Sequence, residues 1–99
     1  MTNEIHVYDV IRRPVITEKS TRLSEENNVY VFEVDIRANK AQIKDAVQSI
    51  FDVDVLKVRT AIMPAKMGRR MRKTYIRKKA WTKAYVTVEP GQNIDLFGI

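Results

Sequence analysis

Apolar and polar residues alternate most cleanly from Val29 to Ile36, where Tyr30, Phe32, Val34 and Ile36 fall on one face and Glu33 and Asp35 on the other. A period of two is that of an extended chain with one buried face, so this segment is predicted as a strand. The period changes at Asn39. Ile43, Ala46, Val47, Ile50 and Phe51 follow the i, i+3, i+4, i+7, i+8 spacing of a single apolar helical stripe. Asn39 with Gln42 three residues on forms a capping-box pattern, so a helix is predicted from Asn39 to Phe51, with Phe51 as a core residue at its end. Alternation resumes from Val53 to Met63. Leu56, Val58 and Ile62 face one way and Lys57 and Arg59 the other, and Pro64 ends the strand because proline cannot donate to a sheet ladder. A last strand is predicted from about Arg77 to Val88. It points Ala80, Ala84, Val86 and Val88 inward and Trp81, Lys83 and Tyr85 outward, and the Pro90-Gly91 turn closes it.

Before Val29, a strand is read from Ile5 to Ile11, punctuated by Pro14, and a helix capped by Thr17 runs to about Asn27. After the turn, Asn93 to Phe97 fits one closing helical turn. The order is strand, helix, strand, helix, strand, strand. A right-handed crossover through the Asn39 helix makes its two flanking strands parallel, and the final strand returns antiparallel between them. The fold class is therefore α+β: a mostly antiparallel four-stranded sheet with split βαβ, ferredoxin-like-related topology and a long basic loop between the last two strands. At 99 residues, 44% hydrophobic and 30% charged, the chain has room for one domain spanning 1–99, with a loop extension at about 65–76. No apolar run is long enough to span a bilayer, so no membrane insertion is expected, and the polar Met1-Thr2-Asn3-Glu4 start does not read as a signal peptide.

Charge changes the picture once it is divided along the chain. Residues 1–65 carry nine Lys and Arg against ten Asp and Glu, whereas residues 66–99 carry nine Lys and Arg against only Glu89 and Asp95. All nine of those cations lie between Lys66 and Lys83, a stretch without a single acid. A near-neutral body bears one strongly basic appendage, and such a field attracts polyanions. The segment Lys66, Met67, Gly68, Arg69, Arg70, Met71, Arg72, Lys73, Thr74, Tyr75 exceeds an ordinary hairpin turn. Its cations repel one another, and little in it can pack, so the expectation is an extended loop that orders against phosphate. Arginine forks hold two phosphate oxygens and stack on bases, Tyr75 and Trp81 offer flat surfaces for unpaired bases, and Gly68 permits close backbone approach. The segment has no bulky apolar helical face of the kind that binds anionic membranes. RNA is favoured over DNA because no helix-turn-helix, zinc-finger or basic-zipper pattern is visible, although the aromatic signature of an RRM sheet is absent too.

Catalytic and metal chemistry find no support. There is no cysteine, and the one histidine, His6, reads as an exposed strand residue. No P-loop, HExxH, GxSxG or glycine-rich nucleotide turn occurs, and Asp52 and Asp54 read as polar surface rather than as a metal pair. The chain is read as a non-enzymatic protein without a cofactor.

Three stretches coincide with one family. Ile11-Arg12-Arg13-Pro14-Val15-Ile16-Thr17-Glu18-Lys19-Ser20 resembles the opening "xxRPxxTEKS" of the bacterial-type large-subunit ribosomal protein twenty-three. Asn39-Lys40-Ala41-Gln42-Ile43-Lys44, with Ala46-Val47 and Phe51, is similar to that family's helix, "TKxEIKxAVExxF". Lys79-Ala80-Trp81-Thr82-Lys83-Ala84-Tyr85-Val86-Thr87-Val88, followed by Gly91-Gln92-Asn93-Ile94-Asp95, resembles its "KKAYVTL…GxxIDxF" ending. The resemblance keeps the family's order over nearly the whole chain.

It implies a cytoplasmic, ribosome-bound constituent of the large subunit. The extended loop would enter 23S rRNA, and the body would sit among neighbouring large-subunit ribosomal proteins at the exit of the tunnel, beside the nascent chain. The rRNA-contact set is then Lys66, Arg69, Arg70, Arg72, Lys73, Tyr75, Arg77, Lys78, Lys79, Trp81 and Lys83, with Arg12 and Arg13. The resemblance also implies a docking surface for trigger factor and the signal recognition particle at Glu18, Phe51 and Asp52. This makes Phe51 partly exposed, where the apolar stripe makes it core. Two departures stand out: Asp52 replaces the commoner glutamate, and the basic loop is less glycine-rich than in the family. The alternative reading is a free RNA-binding regulator that uses the same loop.

Overall fold

The computed structural model describes residues 6–70 and 73–95, with the backbone alone for 69–70 and 73–78. Its first element corrects the sequence reading. Val7–Val10 forms a short helix, α1, before strand β1 (Ile11–Pro14), where one strand from Ile5 to Ile11 was expected; Ile5 itself lies outside the described residues. An extended chain would have aligned Asp9 with Val7 and Ile11 on its apolar face. A helical turn instead brings Val7, Val10 and Ile11 together at i, i+3, i+4 and leaves Asp9 in water. His6 is exposed as expected but caps this helix, its Nδ1 accepting from the Tyr8 N–H at 3.3 Å.

Helix α2 (Glu18–Asn27) starts where the sequence placed it. Thr17 is its N-cap, with reciprocal bonds between Thr17 and Ser20, and Asn28 closes it in the left-handed region. Strand β2 (Val29–Val34) is followed by α3 (Lys40–Phe51), whose Asn39–Gln42 capping box is complete, with Asn39 Oδ1 accepting from the Gln42 N–H at 2.8 Å. Strands β3 (Val55–Met63) and β6 (Trp81–Val88) complete a four-stranded sheet in the order β1-β2-β6-β3, with every neighbouring pair antiparallel. The last strand thus lies between the two that flank α3, the predicted split βαβ arrangement.

One face of the sheet is covered by α3. Ile43, Ala46 and Val47 are fully buried against Phe32, Val34, Ala84, Val86 and Val88, and Ile50 and Phe51 pack at the margin. Val31 alternates to the other face and is also buried, beneath Ser20 and Leu23 of α2. Two inward assignments fail at the end of β2. The strand stops at Val34, so Ile36 is 52% exposed, whereas Asp35 turns inward and is only 4% exposed. On β3, a bulge between Val55 and Lys57 makes Leu56 an extra, exposed residue. Val58 and Ile62 lie on the α3 face as predicted, but the helix does not reach Ile62, which remains 70% exposed.

The final strand is also shorter than predicted. It starts at Trp81, so Ala80 is exposed and Thr82 takes the inward position beside Val34 and Ile62. The Thr82 Oγ1 is buried without a hydrogen-bond partner. Residues 93–95 of the predicted closing turn are not helical, and 96–97 lie outside the described residues.

The largest correction concerns the basic loop. It is paired backbone: β4 (Lys66–Arg70) and β5 (Lys73–Lys78) form an antiparallel ribbon that is a sheet of its own. Ladder hydrogen bonds need no apolar side chains, so mutual repulsion among the cations did not prevent pairing. The molecule is accordingly long, 53 × 39 × 22 Å, with a radius of gyration of 15.2 Å. A compact chain of this size has about 13 Å.

Candidate nucleic-acid interface

The ribbon is registered by Met67 opposite Ile76, Gly68 opposite Tyr75, Arg69 opposite Thr74 and Arg70 opposite Lys73. Of the predicted contact residues, Lys66, Arg69 and Arg70 therefore belong to one strand and Lys73, Tyr75, Arg77 and Lys78 to the other, while Arg72 lies outside the described residues. Lys79 is exposed in the link to β6. Lys66 and Met67 are exposed at the base, where the register of the ribbon shifts between them.

Trp81 and Lys83 lead from the ribbon onto the sheet face that α3 does not cover. They point opposite to Thr82 and Ala84, so Trp81, Lys83, Tyr85 and Thr87 form a half-buried row down the middle strand. Lys83 Nζ stands 5.5 Å from the centroid of the Tyr85 ring. Beside this row β3 presents Lys57 and Arg59, which pair with Thr87 and Tyr85 and are both exposed. Sequence reasoning placed Lys57 and Arg59 outward but omitted them from the contact set, because their local charge is balanced by acids elsewhere in the first 65 residues. The strand register was the missing signal.

Arg12 and Arg13 are committed differently. Arg13 Nη2 donates to Glu33 Oε1 at 3.2 Å on the neighbouring strand. Arg12 stands 3.6 Å from Asp35, whose carboxylate also accepts the Arg37 backbone N–H at 2.8 Å and its guanidinium at 3.1 and 3.0 Å. Hydrogen bonds from the Arg37 side chain and backbone, and the nearby arginine charges, outweigh burial and hold the Asp35 carboxyl at about 2, so it is ionised throughout the neutral range. Both arginines keep exposed guanidinium edges but act first as ion-pair partners.

The expected docking residues sit on different elements. Glu18 is exposed in the first turn of α2, which packs over Val31. Phe51 ends α3, half-buried, with its ring stacked 5.6 Å from that of Phe32 on the α3-covered face of β2. Asp52 is exposed and caps α3 at φ 53°, donating its N–H to the Gln48 carbonyl. Asp54 is tied to Gln92, which accepts its backbone N–H and donates to its carboxylate. No group of three or more metal-ligating side chains occurs among the described residues, and no helix among them is long and apolar enough to cross a membrane.

The chain is an α+β protein with a cationic two-stranded arm and, beside it, a sheet face that carries Trp81, Lys83, Tyr85, Lys57 and Arg59. Comparison with known proteins gives the family. The sequence profile described as Ribosomal protein L23 matches residues 9–96, and the chain belongs to that family. It is 50% identical over 93 residues to "Large ribosomal subunit protein uL23" of Desulfatibacillum aliphaticivorans, covering 94% of this chain and 97% of the relative. It is also 50% identical over 96 residues to the protein of the same name from Dinoroseobacter shibae, covering 97% and 96%. The Geobacter sulfurreducens protein is 43% identical over 95 residues, covering 96% of this chain and the whole relative. The family is structural and non-enzymatic, and the chain has a structural ribosomal role.

Proposed function

We propose that this chain is a cytoplasmic structural constituent of the large ribosomal subunit that binds 23S rRNA through the Lys66–Lys78 ribbon. Its body, one domain with the ribbon, stands at the tunnel exit beside neighbouring ribosomal proteins and the nascent chain. There it offers Glu18, Phe51 and Asp52 to trigger factor and the signal recognition particle. The observation that carries the reading is the ribbon itself: seven cations and no acid on a self-paired arm of a near-neutral body. Paired strands fix the spacing of their side-chain stems before any partner arrives, which reduces the ordering cost that a free loop would bear.

Replacing Arg69, Arg70 and Arg72 with alanine tests it. Association with 23S rRNA should weaken, and the slope of log affinity against log salt should fall by about 2–3, with each phosphate contact contributing ~0.7–0.9. The melting temperature should hardly move, because the ribbon pairs only with itself. Equal losses of RNA binding and stability would refute the assignment. Co-sedimentation with large subunits after a moderate salt wash is also expected; recovery only in the ribosome-free fraction would identify a free RNA-binding regulator instead.

A further inference from the structure

A groove of about 520 Å³ crosses the open sheet face between α2 and β3. Tyr85, Thr87, Val29 and Ala61 line it from the sheet, with Lys19 and Leu23 of α2 on one side and Lys57 and Arg59 of β3 on the other. No acid lines it. Glu33, which faces the same side opposite Lys83, is already engaged by Arg13 at 3.2 Å. We propose that this groove is a second RNA site on the body, which takes an unpaired nucleotide with its base on Tyr85 and the adjoining phosphates on Lys19, Lys57 and Arg59.

The register carries the argument. Arg59 lies directly opposite Tyr85, so its stem starts about 5 Å from that of the ring. Lys57 follows two residues along on the same face, about 7 Å away. Cations therefore flank the ring instead of lying under it. Ala61, opposite Lys83, contributes only a methyl group and leaves the floor low beside the aromatic. Tyr85 is half-buried, and the group over its ring is the Lys83 ammonium, 5.5 Å from the centroid. A base entering there displaces the ammonium toward the phosphates and gains stacking in its place. A duplex keeps its base faces inside the helix and cannot use the ring, so the groove selects single strands. An acidic peptide would satisfy the walls but not the floor.

The proposal rests on the RNA-binding reading above but uses none of the ribbon. The test measures binding of the intact chain to labelled oligoadenylate and to its duplex with oligouridylate. The unaltered protein should prefer the single strand. Tyr85→Leu should weaken single-strand binding about tenfold, a stacking-sized effect, and leave duplex binding unchanged. Tyr85→Phe should keep the preference. Lys57→Ala with Arg59→Ala, at two exposed positions that carry no fold contacts of the core, should weaken binding to both and lower the salt slope by ~1.4. Arg69, Arg70 and Arg72 replaced together should weaken binding but spare the single-strand preference. A Tyr85→Leu protein with the original preference would overturn the groove and leave the ribbon standing. An unaffected ribbon variant beside a weakened Tyr85→Leu would support the groove while removing the ribbon's role. Displacement of RNA by oligoglutamate as effectively as by unlabelled oligoadenylate at equal charge would also overturn it.

Discussion

Asp35 is the one buried carboxylate of the described body, and replacing it with asparagine should be measurable in a defined pH window. At 4% exposure, it accepts three hydrogen bonds from Arg37 and lies 3.6 Å from Arg12, while its own N–H donates to the Val10 carbonyl. It thus joins the end of β2 to α1 and to the entry of α3. Lowering its carboxyl from 3.8 to about 2 corresponds to at most ~2.5 kcal/mol of stability. Both arginine side chains are more than half exposed, and water screening reduces the expected value to about 1 kcal/mol. The folded-state value is depressed, so this contribution is fully present above about pH 4. It is lost as the pH falls toward 2. Asp35→Asn should therefore lower the melting temperature by roughly 4–8 °C at pH 7, the shift that ~1 kcal/mol gives a domain of this size. The gap should close between pH 4 and pH 2. Calorimetric or urea melts of both proteins across pH 2–7 provide the assay. A gap that stays constant to pH 2, or none at pH 7, would refute the reasoning.

Thr82→Val should stabilise the fold by about 1 kcal/mol in a urea melt, because it replaces a buried hydroxyl that has no partner with a methyl of similar size. Phe51→Ala should cost ~2–3 kcal/mol, less than a fully buried phenylalanine, because its ring packs on Phe32 at the margin of the core and is only partly buried; a loss below ~0.5 kcal/mol would mean the stacked contact contributes little. Glu18→Ala should reduce trigger-factor binding to ribosomes that carry this protein without displacing the protein or changing its melting temperature, since the Thr17–Ser20 cap is retained. Unaltered trigger-factor affinity would count against Glu18 as a docking residue.

Local signals with a unique periodicity were legible in the sequence. The stripe from Ile43 to Ile50 could only be a helix face, and Asn39 with Gln42 could only mark its start. The alternation of Tyr30, Phe32 and Val34, with Ala84, Val86 and Val88, fixed two strands, and the crossover rule then placed the last strand between the others. What failed depended on where neighbours end. Ile62 has the right face but no helix above it, and Ile36 lies past the last ladder bond. Leu56 is displaced by a bulge that has no side-chain signature. The ribbon was not legible, because charge repulsion and thin packing point to a loose loop, whereas backbone pairing stabilises it without packing. Tyr85, Lys57 and Arg59 each read correctly as outward residues. Their convergence into a groove required the register of three strands and the position of α2, which no single segment encodes.

Phe51 and Asp52 show how a core reading and a surface reading can describe one place. The apolar stripe carries Phe51 to the end of α3, where Phe32 fixes its ring and Val53, buried next in sequence, anchors the chain beyond. Between two such anchors the helix must end within one residue, and Asp52 does this at φ 53°. Few side chains tolerate that conformation, and short polar ones such as aspartate are among them. Aspartate at this position therefore has a backbone rationale: its short side chain limits the carboxylate's reach but suits the left-handed turn. The turn also sets the direction of its Cβ, while the Phe51 ring is held by the core. A partner reading this proposed docking pair meets two side chains whose backbone and stems are already ordered. Its binding then draws on contacts formed rather than on ordering lost.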